Sequence, residues 1–358
     1  MEHILFTQTK IGTLQLPNRF VRSATNAYMA DSSGSLTQEE IDLYSELARH
    51  GVGLIISGHA FVRADGIASP GMIGIDTDDK VSLFQRAADA VHSAGNSTFV
   101  VQINHSGAQV SVPERHSDEL IAPSAREDVP RARPFTEDEA EALISSYIDA
   151  AVRAHTSRAD GVQLHAAHGY FLNQVLSPKT NTRTDKFGGT VEKRARFVRE
   201  IITGIRKRLG PDFPILMKLA CRDGFPGGLS LEESLETAVI AEEAGLDGIE
   251  ISGGMRKGFN MRKPKKLEEE GFFLEEAEAF KRRLSIPVIT VHGYRTVTKM
   301  EEIIKAGKAD LISLCRPLIR EPDLIEKFQR GEKQSADCIS CNLCLKNKET
   351  LRCWDKTR

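Results

Sequence analysis

One unit recurs along this chain: a helix-like run, a small or acidic residue, then a short apolar strand. It reads as ELARHGVGLII at 46–56, AHTSRADGVQL at 154–164, AEEAGLDGIEI at 241–251 and IKAGKADLISL at 304–314. Each unit has apolar faces that only a neighbouring unit can cover, so the repeat selects a parallel sheet with helices outside it. Further strand candidates bring the number to eight, near 19–25, 53–57, 98–103, 160–164, 214–219, 247–251, 287–291 and 310–314. Amphipathic helical runs such as 136–155 and 191–209 lie between them. Thr136 ahead of Glu137 and Glu139, and Ser230 ahead of Glu232 and Glu233, put side-chain acceptors and negative charge at helix starts. The expected fold is an α/β (β/α)8 TIM barrel over residues 1–331, followed by a short Cys-rich extension over 332–358. A doubly wound sheet ranks second, because no GxGxxG follows the first strand.

Composition narrows the partners. A formal net charge of −2 gives no general footprint for nucleic acid or an acidic membrane surface. The local basic run RKGFNMRKPKK at 256–266 reads either as a solvated loop or as one that attracts an anionic substrate. The amino terminus lacks a basic region followed by an apolar one, and no apolar run approaches the roughly 20 residues of a membrane helix. Four of the six cysteines, Cys338, Cys341, Cys344 and Cys353, crowd the end of the chain, as a ligand cluster in a reducing compartment would. A cytoplasmic protein is the simplest expectation.

In a barrel, chemistry collects at the carboxyl ends of the strands. The strand-like run Gly161 to Leu164 leads into His165 to Gly189, which carries His165, His168 and Tyr170 on a long loop. Taken alone, the histidine pair is also open to blander readings, as imidazoles satisfied by backbone or as half a metal site. The seventh strand runs into His292-Gly293-Tyr294-Arg295 and the eighth into Cys315-Arg316-Pro317. There Gly293 would let backbone approach a phosphate and Arg316 would grip its oxygens, unless that arginine merely pairs with a carboxylate at the rim. Other strand ends are polar too: Ser23-Ala24-Thr25-Asn26, Ser57-Gly58-His59, Gln102-Ile103-Asn104-His105, and Lys218 within the fifth strand. A buried lysine requires an anionic or acceptor partner. Amides, a lysine and backbone donors around one mouth suit a polar heterocycle with a phosphate tail.

The residues so assembled resemble the Old Yellow Enzyme family of flavin mononucleotide (FMN) oxidoreductases, in the branch that includes 2,4-dienoyl-CoA reductase and trimethylamine dehydrogenase. The likeness runs through Leu16-Pro17-Asn18-Arg19, Gln102, His165-Ala-Ala-His168-Gly-Tyr170, Asn181-x-Arg183-x-Asp185-x-x-Gly188-Gly189, Arg194-x-Arg196-Phe197 and Arg316-Pro317. It implies an FMN contacted by Ser23, Ala24, Thr25, Asn26, Gly58 or His59, Gln102 and Lys218, with its phosphate on Gly293, Cys315 and Arg316. Lys218 stands where several relatives carry arginine. Ala24 and Thr25 replace a usual proline and methionine, and Asn26 a threonine or cysteine, which bears on redox potential and substrate range.

The resemblance further implies hydride transfer from NADH or NADPH through FMN to the C=C bond of an α,β-unsaturated carbonyl, an enone, enal or dienoyl thioester. The carbonyl oxygen would sit between His165 and His168, and Tyr170 would protonate the α carbon. An amine- or ether-cleaving dehydrogenase is a second reading, although one tryptophan and 6% aromatics offer little cage for a cation. A third is an electron-transfer module working with a protein partner. In larger relatives a comparable cysteine tail binds a 4Fe-4S cluster, so Cys338, Cys341, Cys344 and Cys353 are candidate ligands, with zinc or no metal as the other possibilities. No chemical role is assigned to Tyr28, His59, His105 or His292.

Overall fold

The computed structural model describes residues 3–110, 119–255, 269–346 and 350–355. Eight strands close into one parallel barrel in sequential order: β1 (Phe20–Arg22), β2 (Leu54–Phe61), β3 (Thr98–Asn104), β4 (Gly161–Ala166), β5 (Ile215–Ala220), β6 (Gly248–Ser252), β7 (Val288–Val291) and β8 (Leu311–Leu314). Helices follow on the outside, among them Gln38–Arg49, Val81–Ala94, Glu137–Thr156, Val191–Leu209 and Leu231–Glu243. Two of them start as expected, because Thr136 with Glu139 and Ser230 with Glu233 each form a reciprocal capping box.

Strand alternation explains why the barrel has two kinds of core. Outward residues such as Phe20, Ile55, Val101, Leu164 and Met217 pack against the helices, while Val21, Leu54, Ile56, Val100, Leu216, Ile289 and Leu311 fill the interior. The antiparallel hairpin strands Thr9–Ile11 and Leu14–Leu16 add Ile11, Leu14 and Leu16 to that inner cluster. Side chains two residues further along a strand point to the same side. Above Val21, Val100, Leu216 and Leu311 therefore stand Ser23, Gln102, Lys218 and Ser313, all buried. The interior changes from apolar to polar within one layer, at the end where the βα loops begin.

Two local features differ from the strand expectations. β2 runs on to Phe61, with a register shift between Ile56 and His59 that places Ser57 and Gly58 in a bulge. The motif Asn181-x-Arg183-x-Asp185 serves the loop itself: Asn181 Nδ2 donates to the carbonyls of Val175 and Phe187, and Arg183 pairs with Asp185 while donating to the carbonyls of Pro123 and Phe135. The basic run at 256–266 lies outside the described residues.

The Cys-rich extension is stitched to the loop after β7. Val297 N donates to Gln334 O, Ala336 N donates to Arg295 O, and the Arg295 guanidinium returns a hydrogen bond to Ala336 O. Among the described residues no helix is long and apolar enough to cross a membrane.

Candidate active site

His165 is the next-to-last residue of β4 and its side chain is buried, whereas His168 lies on the turn that follows. That turn is strained: His168 adopts φ +62° and Gly169 φ +79°, a region that residues with a Cβ rarely enter. His168 N donates to Gly253 O and Gln109 Nε2 donates to His168 O, which hold it there. The turn aims one imidazole at the other, with His165 Nε2 and His168 Nδ1 3.1 Å apart. Ser252 Oγ, at the end of β6, lies 2.7 Å from His168 Nε2. With the hydroxyl donating there, His168 presents an N–H from Nδ1 toward His165. In that contact His165 Nε2 accepts and the proton of His165 sits on Nδ1, which is buried without a partner, so a ligand oxygen arriving at Nε2 can draw the proton there.

Tyr170 caps the short helix Phe171–Leu176 and is half-buried. Its ring centroid is 4.8 Å from that of His165 and 5.0 Å from that of His59. Two histidines with no chemical role expected thus belong to the cluster: His59 beside Tyr170, and His292 with its ring 6.3 Å from that of His168. His105 does not. Its Nδ1 accepts from Gly107 N and its Nε2 faces Asp65, with the ring edge-on to Phe171 in the core.

Three of these imidazoles, His165, His59 and His292, are held toward the neutral form. Burial, reinforced by His168, His59 and Lys218, drives His165 well below the ordinary imidazole range. Burial pushes His59 down to about 4, and burial with Lys218 and Arg316 nearby takes His292 to about 3. The sign for stability follows. An unfolded imidazole takes up its proton near pH 6.5, the folded His59 only near 4, so acid favours the unfolded chain between those values. The stabilisation is complete above pH 6.5 and is expected to be lost as the pH falls toward 4. Urea midpoints across that range should decline, with a shallower slope for His59→Asn; an identical slope would show that His59 is not a buried neutral group.

Below the histidines lies a buried polar network built by strand register. His165, Lys218 and Glu250 pair across β4, β5 and β6, and Gln102 pairs with Gln163 across β3 and β4. Lys218 Nζ donates to Ser23 Oγ at 2.6 Å and to Glu250 Oε1 at 3.2 Å. Glu250 supplies the acceptor partner that a buried lysine demands. Its carboxylate also accepts from Ser23 Oγ and Ser313 Oγ, each at 2.8 Å, and from Gln163 Nε2 at 3.0 Å. Burial alone would push this carboxyl up, but Lys218 and the hydrogen bonds outweigh it and hold the group below its ordinary value. An ionised carboxylate can only accept, so Gln163 must present its amide nitrogen to it. Gln163 Oε1 then accepts from Gln102 Nε2 at 2.7 Å, which leaves the Gln102 carbonyl oxygen as the group offered to a ligand.

The other expected cofactor residues converge on the same mouth. Thr25 Oγ1 meets Cys315 Sγ at 3.0 Å, joining the loops after β1 and β8. Ala24 packs on the inner barrel cluster. Asn26 is partly engaged, since Nδ2 donates to Ser69 Oγ at 2.6 Å and Oδ1 accepts from Tyr28 N. Only one amide hydrogen is left for a ligand. Gly58 lies so close to the first loop that a Cβ there would stand 3.2 Å from Thr25 O. Gly293 has φ +89°, as a backbone approach to phosphate would need. Arg316 NH1 donates 2.7 Å to Asn342 Oδ1 in the cysteine extension. A flavin fits this set: a polar floor of both donors and acceptors, glycines at close backbone approaches, and unpartnered buried nitrogens on His165 and His292.

Behind the histidine turn, Asp223 is fully buried and accepts from Ser177 Oγ, Leu229 N, Asn173 Nδ2 and Met255 N. Asn173 Oδ1 in turn accepts from Gly169 N. Asp223 thereby ties the loops after β4, β5 and β6 into one support. Asp223→Ala leaves four donors without their acceptor, and the expected loss is about 3 kcal/mol or more. Urea unfolding measures it, and stability equal to the parent chain would contradict this role.

In the extension, Cys338, Cys341, Cys344 and Cys353 line one small cavity together with Arg320 and Asn342. Ser340 and Asn342 take φ +55° and φ +63°, turning the chain between cysteines. The donor chemistry suits a cluster, but the side chains are not gathered for one: among the described residues no three His, Cys, Asp or Glu groups converge to hold an ion.

Glu250, Gln163, Ser252 and Asp223 were not expected as site residues. The only signal pointing to any of them was the demand of Lys218 for a partner.

A model of the NADH:flavin oxidoreductase / NADH oxidase family matches residues 4–335. The chain belongs to this family. Among its curated relatives is an NADH oxidase of Thermoanaerobacter brockii, 37% identical over 350 residues, which cover 95% of this chain and 53% of that protein. A cinnamate reductase of Clostridium sporogenes is 28% identical over 366 residues, 94% of this chain and 54% of that one. The solved structure of a 2-naphthoyl-CoA reductase in complex with 2-naphthoyl-CoA superposes with a TM-score of 0.89 at 29% identity, over 96% of this chain and 54% of that one. The chain thus spans about half the length of the first curated relatives it matches. As a family member it is a flavin oxidoreductase barrel.

Proposed function

We propose that this barrel holds FMN, accepts reducing equivalents from NADH or NADPH, and reduces the C=C bond of an α,β-unsaturated carbonyl compound. The observation that carries the reading is the facing pair His165 Nε2 and His168 Nδ1, 3.1 Å apart, beside Tyr170. When bound, FMN supplies the hydride chemistry. Ser23, Gln102 and Lys218 would hold its ring from the polar floor with the backbone of Ala24, Thr25, Asn26 and Gly58, and Gly293, Cys315 and Arg316 would hold its phosphate.

The chain's own residues account for the rest. A carbonyl oxygen entering between the imidazoles accepts from His168 Nδ1 and from His165 Nε2, and both donors gain strength as negative charge develops on that oxygen. One such donor is worth roughly 2.7–4 kcal/mol in a preorganised site. Neutral imidazoles suit this task, because they donate without the solvation cost of a buried cation. Tyr170 is placed to give a proton to the α carbon. Two relatives are named for cinnamate and 2-naphthoyl-CoA, both conjugated acyl compounds, and those names support the substrate class.

Cys338, Cys341, Cys344 and Cys353 are proposed as ligands of a 4Fe-4S cluster on their spacing and common cavity alone, and no step of the reaction is routed through it. Iron and acid-labile sulfide per chain, measured after anaerobic purification, test that assignment. The main test is an anaerobic absorbance titration of the purified protein with NADH and NADPH, followed by cyclohexenone. Bleaching of the flavin band and its return with the enone are expected. Flavin that ignores both nicotinamides would instead favour an electron-transfer role with a protein partner.

A further inference from the structure

The floor of the mouth spends a buried ion pair where apolar packing would serve the fold as well. Lys218 is 2% exposed and Glu250 0%, in the layer directly above Leu216 and its apolar neighbours. Replacing such a pair with hydrophobic residues of similar volume is often neutral or stabilising, so fold stability gives no account of it. What the pair does provide is a lysine charge held at the mouth with an opposite charge directly against it.

We propose that Glu250 sets the reduction potential of the bound flavin by neutralising Lys218 and by fixing the polarity of the Gln163–Gln102 amide chain. This rests on the FMN reading above. Two-electron reduction with uptake of one proton leaves the flavin ring anionic at neutral pH. Lys218 favours that anion. Glu250, buried in the same network, opposes it and keeps the flavin a stronger reductant than a lone cation would. The second effect has the same origin: because the carboxylate can only accept, Gln163 turns its oxygen to Gln102 Nε2, and Gln102 is left with its own oxygen facing the ligand. Glu250 acts through Lys218 and Gln163, so it is a positioning residue.

The test is the midpoint potential of the FMN-loaded full chain, measured by equilibration with a reference dye. Glu250→Gln should raise the ratio of reduced to oxidised flavin at a fixed poise roughly tenfold or more, an upward shift of about 30 mV per tenfold for a two-electron couple. Lys218→Met should move it the opposite way, the double variant should return close to the parent value, and Glu250→Asp, which keeps the charge, should stay near it. A merely structural role would loosen FMN in every variant and produce no such ordering. Should Glu250→Gln not fold, the Lys218→Met potential decides. An unchanged or lowered potential in flavin-loaded Glu250→Gln, or an unchanged one in Lys218→Met, overturns the proposal. Failure of the parent chain to bind FMN appears before any variant is made, and refutes the underlying reading instead.

Discussion

Tyr170→Phe is expected to cut the rate of enone reduction by 10²- to 10⁴-fold, roughly the range that a positioned general acid contributes. The substitution removes the hydroxyl alone. The ring keeps its place at the start of the helix Phe171–Leu176 and its packing beside Ala68 and Met72. Flavin reduction by the nicotinamide requires no proton from this residue, so that half-reaction should stay within about threefold of the parent. Stopped-flow measurement of the two half-reactions separates these outcomes. Reoxidation by enone at the parental rate would remove Tyr170 from the mechanism, whereas equal slowing of both halves would point to a displaced flavin.

His165→Ala should lower kcat/KM for the enone by about 10²- to 10³-fold, the loss expected when one donor to a developing oxyanion is removed. The loss should appear in the affinity for a non-reacting carbonyl ligand as well as in turnover, because the ground-state oxygen already uses the donor. His168→Ala should behave alike. The double variant should lose less than the product of the two, since each imidazole works only with the other in place. Additive losses would mean that the rings act on separate atoms, and the shared oxygen site between them would then be wrong.

These effects fall on residues whose presence was legible in the chain and whose arrangement was only partly so. The barrel was legible because a helix-strand repeat with uncovered apolar faces has few ways to bury them, and the strand candidates near 98–103, 214–219 and 310–314 lie within a residue of the strands found. His165, His168 and Tyr170 stood out because polar, titratable residues at a strand end are costly unless they have work to do. The bulge at Ser57 and Gly58 was not legible, since a register shift leaves no mark on hydrophobic period. His59 and His292 were visible as residues near the mouth, but their contacts with Tyr170 and His168 depend on loop geometry.

What the sequence determined by itself was the period, and with it the barrel, the alternation of inward and outward side chains, and the polar character of the strand ends. Only the tertiary structure decided which polar groups meet. Lys218 lies 32 residues before Glu250 and 195 after Ser23, and Ser252 lies 84 after His168. Such pairs form because neighbouring strands align in one register and the barrel closes, and pairing between strands is a property of two segments that neither segment's own pattern encodes.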